Sequence, residues 1–339
     1  MLIDNIKLII HEWLNDNIPV ILTYHSVIDY PLEFDIWTHM PLRIFEEHME
    51  YLSHKAHVIS LHKLASGLKS GNLPKNSVAI TFDDGFANNF THAYPLLCRY
   101  ELPATIFLST GFIGRNRLFW PERIAYQVMK TQKRNVHILD QNFSIKNSSE
   151  RRYACNALRD LIKTLSGTEL ERELTIIEDT LEVDYDYNDP LFQEWLPLSW
   201  NQIRQMSSGG LIDFGGHTVD HTILSSLHPD KASTQISLCR KMLDENLLSQ
   251  TKMWAYPNGT SADFNDSHKV MLKNHGFSFI FTTMGEYLSA NSNLEQLGRW
   301  GVGSTLSVSG LRGLLAKRNR WRGLSGSEKL RVLWKSIGR

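Results

Sequence analysis

Two short stretches carry side chains that could do chemistry as pairs. In Ala79-Ile80-Thr81-Phe82-Asp83-Asp84-Gly85 an apolar run ends in two adjacent aspartates and a glycine. Neighbouring carboxylates repel, so the pair calls for a cation, a proton or open water. An exposed Asp-Gly turn at a strand end meets that need as readily as a site does. In Phe214-Gly215-Gly216-His217-Thr218-Val219-Asp220-His221 two histidines stand four residues apart. If the segment is helical, both imidazoles lie on one face and can share a metal ion. With fourteen histidines in the chain some pair at this spacing is unsurprising, so alone it reads as structural. Gly215 and Gly216 mark a point where the backbone is expected to turn sharply.

The two pairs gain meaning from where they stand. Each directly follows an apolar strand, and in barrels and open α/β sheets the carboxyl ends of parallel strands converge on one face. One aspartate and two imidazoles meeting there make a three-ligand site of the catalytic kind, with a position left for water. The second carboxylate then stands where a general base is needed. Two further strand ends fit the same face. Pro257-Asn258-Gly259 can aim a backbone N–H at a developing oxyanion, although an ordinary Asn-Gly loop has the same composition. Arg299 and Trp300 could orient a carboxylate and wall a sugar pocket; a surface arginine and a core tryptophan are the plainer alternative.

The elements that must position these groups read as alternating strands and helices. Pro19–His25, His57–Ser60, Ser77–Phe82, Ala104–Ser109, Leu211–Phe214, Lys252–Tyr256 and Phe277–Thr283 are strand-like, with helical patterns between most of them. Such alternation predicts parallel pairing through right-handed crossovers. Residues 111–198 break the rhythm with charged helical segments and a small hairpin, Asn135–Lys146, and are read as an insertion in a catalytic unit spanning 1–310. The tail, 311–339, holds nine Lys or Arg against one acid, Glu328, interleaved with Leu and Trp. A basic amphipathic segment of this kind suits an anionic membrane surface, or a solvated helix packed through its apolar side.

Composition bounds the rest. Hydrophobic residues at 42% and charged residues at 21% are those of a globular protein, and the zero formal net charge gives no sign of a nucleic-acid partner. Three cysteines without metal or redox spacing argue against a disulfide scaffold. The first twenty residues lack the features of a secretory signal, and no apolar run approaches the roughly 20 residues needed to span a bilayer. The expected location is cytoplasmic, with peripheral contact at the inner membrane through the tail.

Taken in order, Thr81–Gly85, Gly215–His221 and Ala255–Gly259 resemble the motifs of the polysaccharide deacetylase family (NodB-like carbohydrate esterases), which includes chitin and peptidoglycan deacetylases. The resemblance runs from roughly Val20 to Val302. It is nearest to bacterial members tied to envelope polysaccharides, which carry a helical insert after a segment like Phe107–Tyr126. It implies a distorted (β/α) barrel of about seven parallel strands and removal of an N-acetyl group from an amino sugar. It also implies Asp83 as general base, Asp84, His217 and His221 as ligands of a divalent metal, and the Asn258 N–H as oxyanion donor. Zinc is the expected ion, with cobalt, nickel or manganese as alternatives.

Two departures affect the site. Ala255 stands where the family carries an arginine that orients the base, and Arg299 is expected to supply that charge. No histidine follows His275, so the late histidine that serves as general acid is missing. Some relatives present it from an early Tyr-His strand end, and Tyr24-His25 offers His25; alternatively His25 only packs there while a water donates. Trp300, Tyr256 and Trp120 are expected to contact the sugar. The expected substrate is an N-acetylated sugar or glycan, lipid- or nucleotide-linked if the protein acts before export. Deformylation, opening of a cyclic amide and non-catalytic sugar binding remain as other readings.

Overall fold

Val20-Ile21-Leu22-Thr23-Tyr24 and Ser77-Val78-Ala79-Ile80-Thr81-Phe82 are buried along their whole length, as strands covered on both faces must be. The structure, a computed structural model, describes residues 18–317. Its strand segments in chain order are β1 (Val20–Tyr24), β2 (Ser26–Ile28), β3 (His39–Pro41), β4 (His57–Val58), β5 (Ser77–Phe82), β6 (Ala104–Leu108), β7 (Asn135–Ile138), β8 (Gln141–Ser144), β9 (Ile212–Gly216), β10 (Met253–Ala255), β11 (Phe279–Thr282), β12 (Leu297–Gly298) and β13 (Trp300–Gly301).

The main sheet runs β12-β11-β10-β9-β6-β5-β1-β13, with β4 alongside β5. Every pairing in it is parallel, for example Leu22 with Ile80 and Ile106 with Phe214. Only Arg299 separates β12 from β13. Because β12 pairs with β11 and β13 pairs with β1, the two ends of the path meet and the sheet is a nearly closed barrel. Eight segments lie on the path rather than about seven, since the last strand changes partner at Arg299. Its glycine-interrupted stretch, Leu-Gly-Arg-Trp-Gly, lacks the β-branched run that announces the others.

Side-chain alternation separates the two faces. Leu22, Tyr24, Val78, Ile80, Ile106 and Phe214 enter the large core beneath the surrounding helices. Ile21, Ala79, Phe107, Met253 and Phe281 instead share a cluster with Leu61, Leu64 and Leu68, which lies on the opposite side of the sheet. Polar residues continue that second row: Thr23 Oγ1 and Thr81 Oγ1 lie 3.1 Å apart, and Thr81 Oγ1 donates to Leu22 O at 2.8 Å.

Gly215 and Gly216 lie inside β9 rather than at a sharp turn. A Cβ on Gly215 would come within 2.5 Å of the Phe107 ring, and one on Gly216 within 2.6 Å of Trp254. Glycine is required there by close packing between strands.

The segment between β6 and β9 contains helices Trp120–Lys130, Ser148–Ile162 and Gly167–Leu181 and the antiparallel hairpin β7–β8. Leu139 and Asp140, at φ 50° and 59°, form its two-residue turn. This segment has its own core, in which Leu118, Ile124, Leu158, Ile177 and Trp195 pack with Ile28, Phe34 and Ile36. At the other end, Leu311 and Leu315 of helix Val308–Lys317 are buried in the main core. The remaining basic tail, 318–339, and residues 1–17 lie outside the described residues. No described helix is long and apolar enough to cross a membrane.

Candidate active site

Asp83 and Asp84 follow β5, and His217 follows β9 one residue after its last glycine. Ser109 N–H donates to Asp84 O and His217 N–H to Leu108 O, so the end of β6 fixes both neighbours. His217 and His221 do not share a helix. They sit in an irregular loop in which Thr218 and His221 adopt positive φ, 66° and 54°. Gln235 Oε1 accepts from Val219 N–H and Asp220 N–H at 2.9 and 3.0 Å, and Thr218 Oγ1 accepts from Thr222 N–H at 3.2 Å. Asp84 also has positive φ, 72°, followed by Gly85 at 88°. Left-handed backbone at non-glycine residues is costly, of order 1–3 kcal/mol each, and gathers at functional sites.

The result is one cluster. Asp84 Oδ1 lies 3.0 Å from His221 Nε2 and 3.4 Å from His217 Nε2, and ligating atoms of all three residues fall within 4.8 Å of one another. His217 Nδ1 lies 2.8 Å from Ala255 O. A carbonyl only accepts, so Nδ1 carries a hydrogen and Nε2 is the atom turned toward the Asp84 oxygen. Asp84 Oδ1 is itself buried with no hydrogen-bond donor among the described residues. The Asp84 oxygen and the two Nε2 atoms face one another across a buried gap and call for positive charge, from imidazole protons or a bound cation, and an O,N,N set with one carboxylate suits zinc or a similar divalent ion. The residues present therefore fit the metal. Burial opposes ionisation of Asp84, yet the facing imidazoles, His221 first, hold its carboxyl well below the usual range.

Asp83 is occupied differently. Arg299 Nη1 and Nη2 donate to its two oxygens at 2.7 and 2.8 Å, and the guanidinium is fully buried. Arg299 also donates through Nη1 to Thr81 Oγ1 and through Nε to Thr282 O, both at 3.2 Å. Burial again works against the charge, and Arg299 overcomes it, so Asp83 stays below its ordinary range. Opposite charges thus bind the junction of β12 and β13 to the end of β5.

His25 follows β1. Asn89 Nδ2 donates to its carbonyl at 2.7 Å, and its ring packs edge-on against Trp37 with centroids 5.6 Å apart. Asp83 N–H donates to Tyr24 O at 3.0 Å, which sets His25 beside the aspartates; burial lowers its proton affinity, while Asp84 and Asp83 pull it back up. Asn258 holds φ 59° and donates through Nδ2 to Asp263 Oδ2 at 2.7 Å. Its N–H makes no hydrogen bond among the described residues, and its turn begins at Pro257, two residues after the carbonyl that fixes His217.

Of the three aromatic candidates two are buried and the third, Trp120, is half-buried. Trp300 is buried, packs on Tyr287 at 4.8 Å and donates Nε1–H to Glu286 O at 2.9 Å. Tyr256 is buried and stacked on Phe264 at 4.2 Å. Trp120 begins the insertion's first helix and packs against that segment's core. Two buried groups that the sequence did not single out, Glu122 and His39, stand near the cluster. Glu122, 3% exposed, has its Oε1 3.9 Å from His39 Nε2 and 4.0 Å from Arg159 Nη2. The available signal was a carboxylate on the otherwise apolar face of that helix.

A model of polysaccharide deacetylases matches residues 70–280, more than half of the chain. The chain belongs to the polysaccharide deacetylase family. Over 133 residues it is 32% identical to a poly-beta-1,6-N-acetyl-D-glucosamine N-deacetylase of Staphylococcus aureus, covering 37% of this chain and 45% of that protein. The chain thus matches a little under half the length of that relative. It is also 30% identical over 291 residues to YxkH of Bacillus subtilis, covering 85% of this chain and 73% of that one. Among solved structures it resembles the Streptococcus pyogenes deacetylase PplD in complex with acetate (TM-score 0.59, 19% identity, 89% of this chain and 99% of that one). IcaB from Ammonifex degensii is similar to the same degree (TM-score 0.58, 18% identity, 89% and 98%). These two likenesses establish the shared fold.

Proposed function

We propose that this polysaccharide deacetylase is a metal-dependent hydrolase that removes the acetyl group from an N-acetylated amino sugar of an envelope glycan. The observation that carries the reading is the buried Asp84–His217–His221 cluster beside the Arg299-clamped Asp83. The name of the staphylococcal relative supports N-acetylglucosamine as the sugar. Asp84, His217 and His221 would hold the ion, zinc being the first choice. Bound there, a divalent ion supplies Lewis acidity and lowers the pKa of water toward about 7.

The chain's own groups supply the rest. Asp83, locked as a carboxylate by Arg299, takes a proton from the attacking water. The Asn258 N–H, free in its left-handed turn, is a donor for the oxyanion that develops on the acetamide carbonyl. His25 gives a proton to the departing amine. Burial lowers the proton affinity of this imidazole in the free protein, so it takes that proton from solvent as negative charge builds on the substrate, and Asp83 returns its own to solvent at the end of the turnover. The basic tail favours a lipid-linked glycan as substrate over a free sugar.

The test combines metal analysis with acetate release from a panel of N-acetylated sugars, oligomers and glycolipids. General acid–base groups contribute about 10²–10⁴-fold, so Asp83→Asn should lose most turnover and keep its metal. Loss of the metal in that variant would move Asp83 into the ligand set. Release of formate from N-formyl sugars, with no acetate from any acetylated one, would replace the reading by deformylation.

A further inference from the structure

Trp37 is 53% exposed and is the only exposed tryptophan among the described residues. It stands in the connection before β3, where Ser304 N–H donates to its carbonyl at 3.0 Å. Its indole lies over a bed that only glycine can form. A Cβ on Gly301 would meet Trp37 Cη2 at 2.7 Å, and one on Gly303 would meet its Nε1 at 2.2 Å. Backbone thus supports the ring from the barrel side while more than half of it faces solvent. On its flank is His25, whose ring feels the charges of Asp84, Asp83, Arg299 and His217. An open, rigid aromatic face beside a polar reaction centre is costly in water unless something covers it.

We propose that Trp37 is a stacking platform for a sugar ring, binding the unit next to the N-acetyl sugar that reacts. The inference rests on the deacetylase reading and adds a positioning residue to it. A pyranose presents an apolar C–H face to the indole while its hydroxyl rim stays wet, which suits a ring supported on one side and half exposed. Trp300 and Tyr256 cannot serve in this way, because both are already covered by core contacts. The glycine bed ties the platform to β13, the segment that follows Arg299, so platform and base are held by the same strand.

The test compares wild type, Trp37→Ala, Trp37→Phe and Gly303→Ala, all metal-loaded, on a β-linked N-acetylglucosamine pentamer. Trp37→Ala should raise KM for the pentamer at least ten-fold with kcat within two-fold and metal content unchanged. Trp37→Phe should recover most of the loss. Gly303→Ala, which lifts the indole, should behave like Trp37→Ala. An unchanged KM in Trp37→Ala, or a loss confined to kcat, overturns the proposal. If wild type releases no acetate, the deacetylase reading fails separately and pentamer binding is measured by calorimetry instead. Weakening of at least ten-fold in Trp37→Ala then supports the platform, and equal or absent binding in both proteins overturns it.

Discussion

Replacing Arg299 by methionine tests the link between the last strand and Asp83, the proposed base. In the folded protein the guanidinium makes two charge-assisted bonds to Asp83, at 2.7 and 2.8 Å, and neither partner is more than 2% exposed. Solvent screening, which makes surface pairs nearly worthless, is therefore absent. Removing the arginine leaves the Asp83 carboxylate buried without a cation, a change that costs about 3–5 kcal/mol when a buried pair is broken. Thr81 Oγ1 loses its donor as well. Asp83→Asn should cost less, because the amide oxygen still accepts from the guanidinium. The double variant, Asp83→Asn with Arg299→Met, removes both charges and should cost less than the sum of the singles by about 2–3 kcal/mol. Urea unfolding of the three variants and wild type, followed by circular dichroism, measures all four corners of the cycle. A loss under about 1 kcal/mol in Arg299→Met, or additive singles, would show that the pair is not holding the barrel as argued.

Two further outcomes follow from buried groups around the site. Burial pushes Glu122 from 4.5 up to about 7 despite the nearby Arg159, and one pKa unit is about 1.4 kcal/mol. Between these values the folded protein keeps a proton that the unfolded chain has lost, so this contribution is full below pH 4.5 and disappears as pH rises through 7. Glu122→Gln should therefore gain about 3 kcal/mol relative to wild type between pH 4 and pH 8, and parallel stability profiles would refute the assignment. For His25, His25→Ala should lower kcat by at least ten-fold with metal content unchanged. Near-normal turnover would remove it from the mechanism and leave a water as the donor.

Much of the site was legible because its signals are local. Asp83-Asp84-Gly85 and His217–His221 each stand at the end of an apolar run, and parallel sheets bring such ends together. What was not legible depends on contacts between distant segments. The i, i+4 histidines suggested a helix, but Thr218 and His221 take left-handed backbone because Gln235 and Thr218 satisfy the loop's N–H groups. Gly215 and Gly216 suggested a turn, whereas the rings of Phe107 and Trp254 leave no room for a side chain within the strand. Trp300 stood next to a site residue and so looked like a wall of the pocket. In a strand, neighbours point to opposite faces, and that alternation sends it into the core. Trp37 carried no motif at all; only its distant glycine bed, contributed by residues 301 and 303, distinguishes it.

The seam at Arg299 makes the barrel a mechanical safeguard for its own chemistry. The strand hands over from β11 to β1 at the one residue whose side chain grips Asp83. Any fraying of that join must draw the guanidinium away from the carboxylate. If Asp83 is the base proposed above, a partly unzipped molecule falls catalytically silent well before it unfolds, and turnover reports on the integrity of the closure.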